Sequence, residues 1–233
     1  MSSSPSPSST EPLLEGRGDR VPPLRGDGKG VYKIHVIGNS GMLASPPWVF
    51  LKFYLVLWGS TLSRQLSKIL NIPYVPLDEV FWEPNWSAPS NEEFQSRIDV
   101  LLGKYRDTGW IIDGNYSRRM GEAVKNERTD CIWLDPPLLL YLPRLIYRTF
   151  LRLLGIEPNC APGCNESWRG VFSLNDKSII WWCITHHGYC REWGRKLIEE
   201  EGDVVHGGKV RRITGLGGEL KRWVGDVEGM VKG

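Results

Sequence analysis

Long apolar runs are missing from this chain of 233 residues. The longest, WVFLKFYLVLW from Trp48 to Trp58, is about half of what a membrane-spanning helix needs, and Lys52 interrupts it. A buried or interfacial segment is expected there, not a span. Charge of one sign is also scarce. Lys and Arg number 29 and Asp and Glu 27, a net charge of +2, too balanced for a nucleic-acid footprint. The first thirty residues, MSSSPSPSSTEPLLEGRGDRVPPLRGDGKG, lack the apolar core of a signal peptide and the amphipathic Arg/Ser character of a transit peptide. Their Ser, Pro and Gly content predicts a disordered tail over 1–30. The five cysteines are odd in number and lack a C-x-x-C pair. With no secretory signal, this implies free thiols in a reducing compartment, and the expected location is the cytoplasm. Cys160/Cys164 and the Cys183, His186, His187, Cys190 group have poor spacing for zinc, so buried thiols and surface histidines are the expectation.

What is present is ordinary globular composition, 41% hydrophobic and 24% charged, enough for one core after the tail. Eleven scattered tryptophans read as core and cleft material. Strand and helix signals alternate. VYKIHVIGNSG (Val31–Gly41) is a β-branched run feeding a turn of small residues, and STLSRQLSKILN (Ser60–Asn71) has helical spacing. A brief second strand is expected to end at Asp78. SNEEFQSRIDVLLGKY (Ser90–Tyr105) opens with a cap and an acidic first turn. GWIIDGNY and DCIWLDPP give two more strands. A helix follows over Leu138–Leu154, kinked at Pro143 or truly starting there. Residues 155–178 lack periodicity and read as a loop or lid. A helix over Ser178–Glu201, a strand at KVRRIT and a last helix complete the chain. The alternation predicts an α/β fold, a parallel sheet of about five strands covered on both faces, in one domain over 31–233.

A phosphate-binding loop needs a strand, a glycine turn, a Lys, a Ser/Thr and a helix. Gly38-Asn39-Ser40-Gly41 follows the first strand, and Ser60-Thr61 opens the next helix. Residues 42–59 stand between them, and Gly59 sits where the Lys belongs. Four further stretches support the loop: VPLDEVFWEPNW (Val75–Trp86), WIIDGNYSR (Trp110–Arg118), IWLDPP (Ile132–Pro137) and RLIYRTFLRLL (Arg144–Leu154). In this order they resemble the small adenylate-kinase-like P-loop proteins labelled topology modulation proteins. CNESWRG (Cys164–Gly170) is similar to that family's lid-side element.

The resemblance implies a three-layer P-loop, nucleoside-monophosphate-kinase-like fold, with ATP and Mg²⁺ as ligands. It also implies phosphoryl transfer to a small-molecule acceptor. It places Gly38, Asn39, Ser40, Gly41, Ser60 and Thr61 around the nucleotide, and Ser60 and Asp113 near the metal. Arg144, Arg148 and Arg152 share one helical face. They read either as a solvated basic stripe or, with the resemblance, as phosphate contacts. Arg118 follows DGNY, where related adenylate kinases carry an Arg for the acceptor phosphate; a plain surface arginine is the other reading. Asp78, with Phe81 and Trp82, would wall the acceptor, and Asp113 is favoured over Asp135 for function. Both strand-end carboxylates also suit turn capping.

The missing Lys removes the link to the outer phosphates. Three accounts fit the interruption: a degenerate pseudoenzyme, a rearranged loop that still binds anions, or wrong exon boundaries around 42–59. A non-catalytic interaction protein that docks a partner or membrane surface through residues 48–58 is the competing function.

Overall fold

The computed structural model describes residues 21–38, 60–173, 178–215 and 218–233. At its centre is a parallel sheet of five strands in the order β2-β3-β1-β4-β5. The strands are β1 (Lys33–Ile37), β2 (Tyr74–Pro76), β3 (Trp110–Asp113), β4 (Asp130–Leu134) and β5 (Val210–Ile213). β3 and β4 are buried at every position because helices cover both faces of the sheet. The expected α/β class and strand number are therefore those observed.

The register sorts side chains between the faces. β1 pairs Ile34 with Ile111 of β3 and with Asp130 of β4, so alternate residues align across strands. Ile34, Val36, Ile111, Ile132, Leu134 and Ile213 pack in one cluster. Two helices cover that face, α1 (Ser60–Leu70) through Leu62 and Leu66, and α8 (Glu219–Lys232) through Leu220, Trp223 and Val224. On the other face, Trp110 and Ile112 pack with α2 (Leu77–Phe81), α3 (Asn91–Lys104) and α4 (Ala123–Glu127). Cys131, Trp133 and Val210 pack there with α7 (Ile179–Glu201). α3 starts at a full capping box: Ser90 Oγ accepts from Glu93 N, and the Glu93 carboxylate accepts from Ser90 N.

Four expectations need adjusting. The second strand ends at Pro76, and Asp78 lies in the first turn of α2. α5 runs Leu138–Leu153 with Pro143 inside it, so of the two readings the start at Pro143 is excluded. The tail predicted over 1–30 divides: residues 1–20 lie outside the described residues, residues 22–26 are held to the fold, and residues 27–30 form an exposed turn before β1. Leu24 is buried in the core, Trp223 Nε1 donates to Pro23 O, and the Asp130 carboxylate accepts from Arg25 N and Gly26 N. Finally, the stretch expected as a loop or lid is a loop over most of its described length, contains the short helix α6 (Trp168–Val171) and is bonded to the residues around Glu83–Trp86. Asn85 N donates to Gly163 O, Trp86 Nε1 to Asn165 O, and Cys164 Sγ to Glu83 O. Among the described residues no helix is long and apolar enough to cross a membrane.

Candidate functional site

Ser60 and Asp113 lie apart in sequence and meet in the fold. Asp113 is the last residue of β3 and points to the face that α1 covers; Ser60 is the first residue of α1. Ser60 Oγ donates to Asp113 Oδ2 at 2.7 Å, and Tyr74 Oη donates to the same oxygen at 3.4 Å. Both Ser60 and Asp113 are buried. Burial pushes the Asp113 carboxyl up to about 7; the Ser60 hydrogen bond opposes this, and the negative charge of nearby Asp78 adds to it. A carboxylate left in this state gains from a nearby cation. α1 carries no acidic residue in its first turn, so its positive end faces Asp113 without an internal counter-charge. Gly38 closes β1 beside this point, and Thr61 follows Ser60 half-buried. Asn39, Ser40, Gly41 and residues 42–59 lie outside the described residues.

A second cluster adjoins the first. Asp78 accepts a 2.6 Å hydrogen bond from Tyr116 Oη. Burial raises the Asp78 carboxyl; the Tyr116 hydrogen bond and the charges of Arg148 and Arg152 pull the other way. Arg148 is buried, and its guanidinium is depressed to about 10, first by burial and then by the neighbouring Arg152. Arg152 lies 3.5 Å from the Glu166 carboxylate, both side chains almost covered. Arg144 is half-buried, and burial lowers its pKa. The arginine face of α5 therefore turns inward, which disposes of the solvated-stripe reading. A guanidinium fork matches carboxylate and phosphate oxygens, so these arginines have the chemistry to meet an anionic group.

The remaining sequence candidates lie elsewhere. Arg118 is exposed; its guanidinium sits 4.8 Å from the Tyr189 ring centroid and donates to the Tyr189 hydroxyl, on α7. Asp135 continues β4 but points to the opposite face from Asp113. There Arg191 Nε approaches it at 2.9 Å, and Arg212 holds it through Nε at 2.9 Å and Nη2 at 2.5 Å. It is an ion-pair anchor for α7. Phe81 is core, packed edge-on against Phe94 at 4.9 Å; Trp82, also edge-on to Phe81 at 4.9 Å, is half-buried. Sequence reasoning passed over Tyr116, Tyr74 and Glu166. Tyr116 and Glu166 stood inside the quoted DGNY and CNESW stretches, but no spacing rule marks a Tyr as the partner of a distant Asp.

Among the described residues no group of three or more His, Cys, Asp or Glu is placed to hold a metal ion. His187 Nδ1 bonds with Tyr141 Oη at 2.8 Å, and His186 stacks on Trp182. One hydroxyl and one carboxylate do fit Mg²⁺, which takes few protein ligands and completes its shell with water and phosphate oxygens. No protein-family model matches the chain, and no curated protein matches it. Among solved structures, shikimate kinase from Bacteroides thetaiotaomicron is similar at 13% identity, covering 86% of this chain and 98% of that one, with a TM-score of 0.43. A likeness of this size transfers no residue role.

Proposed function

We propose that this chain is a nucleotide-binding P-loop protein of kinase type, related to the adenylate-kinase-like group, that takes ATP with Mg²⁺ and faces a small-molecule acceptor. The observation that carries the reading is the 2.7 Å bond between Ser60 at the head of α1 and buried Asp113 on the neighbouring strand. A hydroxyl at the phosphate end of a helix, backed by a strand-end carboxylate, is the arrangement that holds Mg²⁺ beside phosphate oxygens. Mg²⁺ would neutralise charge on those oxygens. Gly38, Asn39, Ser40, Gly41 and Thr61 would complete the phosphate contacts.

Asp78 has the position for an acceptor hydroxyl. Burial raises its pKa above the ordinary carboxylate value, the direction that makes it a better proton acceptor, and Tyr116 holds it in place. Arg148 and Arg152 would meet phosphoryl charge from the α5 side, with Arg144 further along the same face. Phosphoryl transfer needs this positioning and neutralisation more than covalent chemistry. The loop Lys is absent, since Gly59 precedes Ser60. Loss of a charge-assisted phosphate contact costs about 2 kcal/mol, so affinity and rate are expected to be low.

Isothermal titration with ATP and Mg²⁺ tests the reading. Binding that weakens on Ser60→Ala supports it. No heat and no thermal shift at millimolar ligand would overturn it. Replacing residues 42–59 with Ala-Gly-Lys is expected to tighten binding at least ~10-fold, on the scale of one restored charge-assisted contact.

A further inference from the structure

α5 buries Tyr141 and Leu145 against α7 and carries a second apolar stripe that faces outward. On a helix of 3.6 residues per turn, Leu139, Pro143, Ile146, Phe150 and Leu154 form one stripe, with Tyr147 beside it. All of these are exposed, Leu139 at 84%. Arg144, Arg148 and Arg152 occupy the opposite stripe and are half-buried or buried. A helix on a water-facing surface normally does the reverse. The carboxylates of Asp78 and Glu166 account for the burial of Arg148 and Arg152. No described element covers the Leu139–Leu154 stripe.

The patch continues past α5. Phe150 meets Trp168 of α6 edge-on at 5.8 Å, and Trp168 stacks on Phe172 at 6.1 Å, with Phe172 60% exposed. Taking ~200 Å² for a fully exposed large side chain, these residues leave on the order of 700 Å² of apolar surface open. That is large for a monomer and close to the ~800 Å² per partner of a standard specific interface. The steps of four, three and four residues from Leu139 to Phe150 are those of a seam that packs on another helix. No charged residue interrupts the stripe. A bilayer would favour a basic rim, but the α5 arginines are turned inward, and Arg169 is the exposed cation α6 offers. A charge-free stripe can meet its own copy without like-charge repulsion, as an isologous contact requires.

We propose that this face is a homodimer interface, with α5 of one copy crossing α5 of a second about a two-fold axis, flanked by Trp168 and Phe172. The proposal does not depend on nucleotide binding. Sedimentation equilibrium of the full chain at about 20 µM should report the mass of two chains, as a standard-size interface predicts. Phe150→Glu and, separately, Leu139→Glu should raise the dissociation constant at least ~30-fold while the circular dichroism is unchanged. Four results overturn it. One is a single-chain mass for the wild type. Another is wild-type self-association in either folded variant. A third is loss of the dimer on deleting residues 48–58 alone, which assigns association to that run. The last is co-sedimentation of the wild type with lipid vesicles, which makes a bilayer the occupant.

Discussion

His35 and Asp113 are both fully buried, and burial acts on them in opposite directions. His35, in the middle of β1, has Arg128 Nη1 at 2.9 Å from Nδ1 and Gly114 O at 2.9 Å from Nε2. Burial, with help from the Arg128 charge, lowers its pKa to about 3. Between about 3 and 6.5 the unfolded His binds a proton that the folded one does not. Stability from His35 is thus present above 6.5 and lost as pH falls towards 3. Asp113, raised to about 7, behaves oppositely: its contribution is present below about 4 and is lost as pH rises to 7. Each slope is at most about 1.4 kcal/mol per pH unit, and the two largely cancel from about 4 to 6.5. The variants separate them. Relative to His35→Gln, the wild type should gain stability with rising pH up to about 6.5; relative to Asp113→Asn, it should lose stability up to about 7. Urea unfolding across this range is the measurement.

At the scale of the element, close approach competes with helix propensity. Gly194 lies inside α7, where Ala would ordinarily be better by about 1 kcal/mol. A Cβ there would run into the indole of Trp133, which is itself buried. Overpacking costs about 1–3 kcal/mol and outweighs the propensity gain, so Gly194→Ala should lower the thermal midpoint. Pro143 presents the opposite balance. It is exposed on its own chain and denies α5 one backbone hydrogen bond. Pro143→Ala should stabilise the protein by about 1–2 kcal/mol, less than the full helix penalty because the unfolded chain also gains freedom. Calorimetry reads both changes.

Across the whole molecule, the segment before β1 closes the fold. Leu24 is buried among α8 and sheet residues, and the backbone beside it is held by Asp130, by Trp223 and by Arg211, whose Nη2 donates to Pro22 O. The segment thereby links β4, β5 and α8, elements distant from it in sequence. Leu24→Ala should cost about 2–4 kcal/mol, a core value, though its Pro- and Gly-rich neighbours read as a tail. Chemical denaturation would show it as a reduced midpoint with an unchanged slope.

The order of the strands and of the long helices, the five-strand parallel class and the α3 cap could be read from sequence, because periodicity and capping are local physics; the short helices α2, α4 and α6 carry too few turns to show a period. So could membership of Ser60, Asp113, Asp78 and the α5 arginines in one candidate set. Which of them meet could not. Asp113 and Asp135 look alike as strand-end carboxylates, yet the pleat and register send one to Ser60 and the other to Arg191 and Arg212. The α5 stripe of arginines looks like a solvated face until tertiary packing turns it inward and leaves the aliphatic stripe outside. Leu24 looks like part of a tail until α8 and the sheet supply its pocket. Local sequence determined the elements and their chemistry. The tertiary structure decided which face of each was dehydrated, and dehydration sets the pKa of a carboxylate and the role of an arginine.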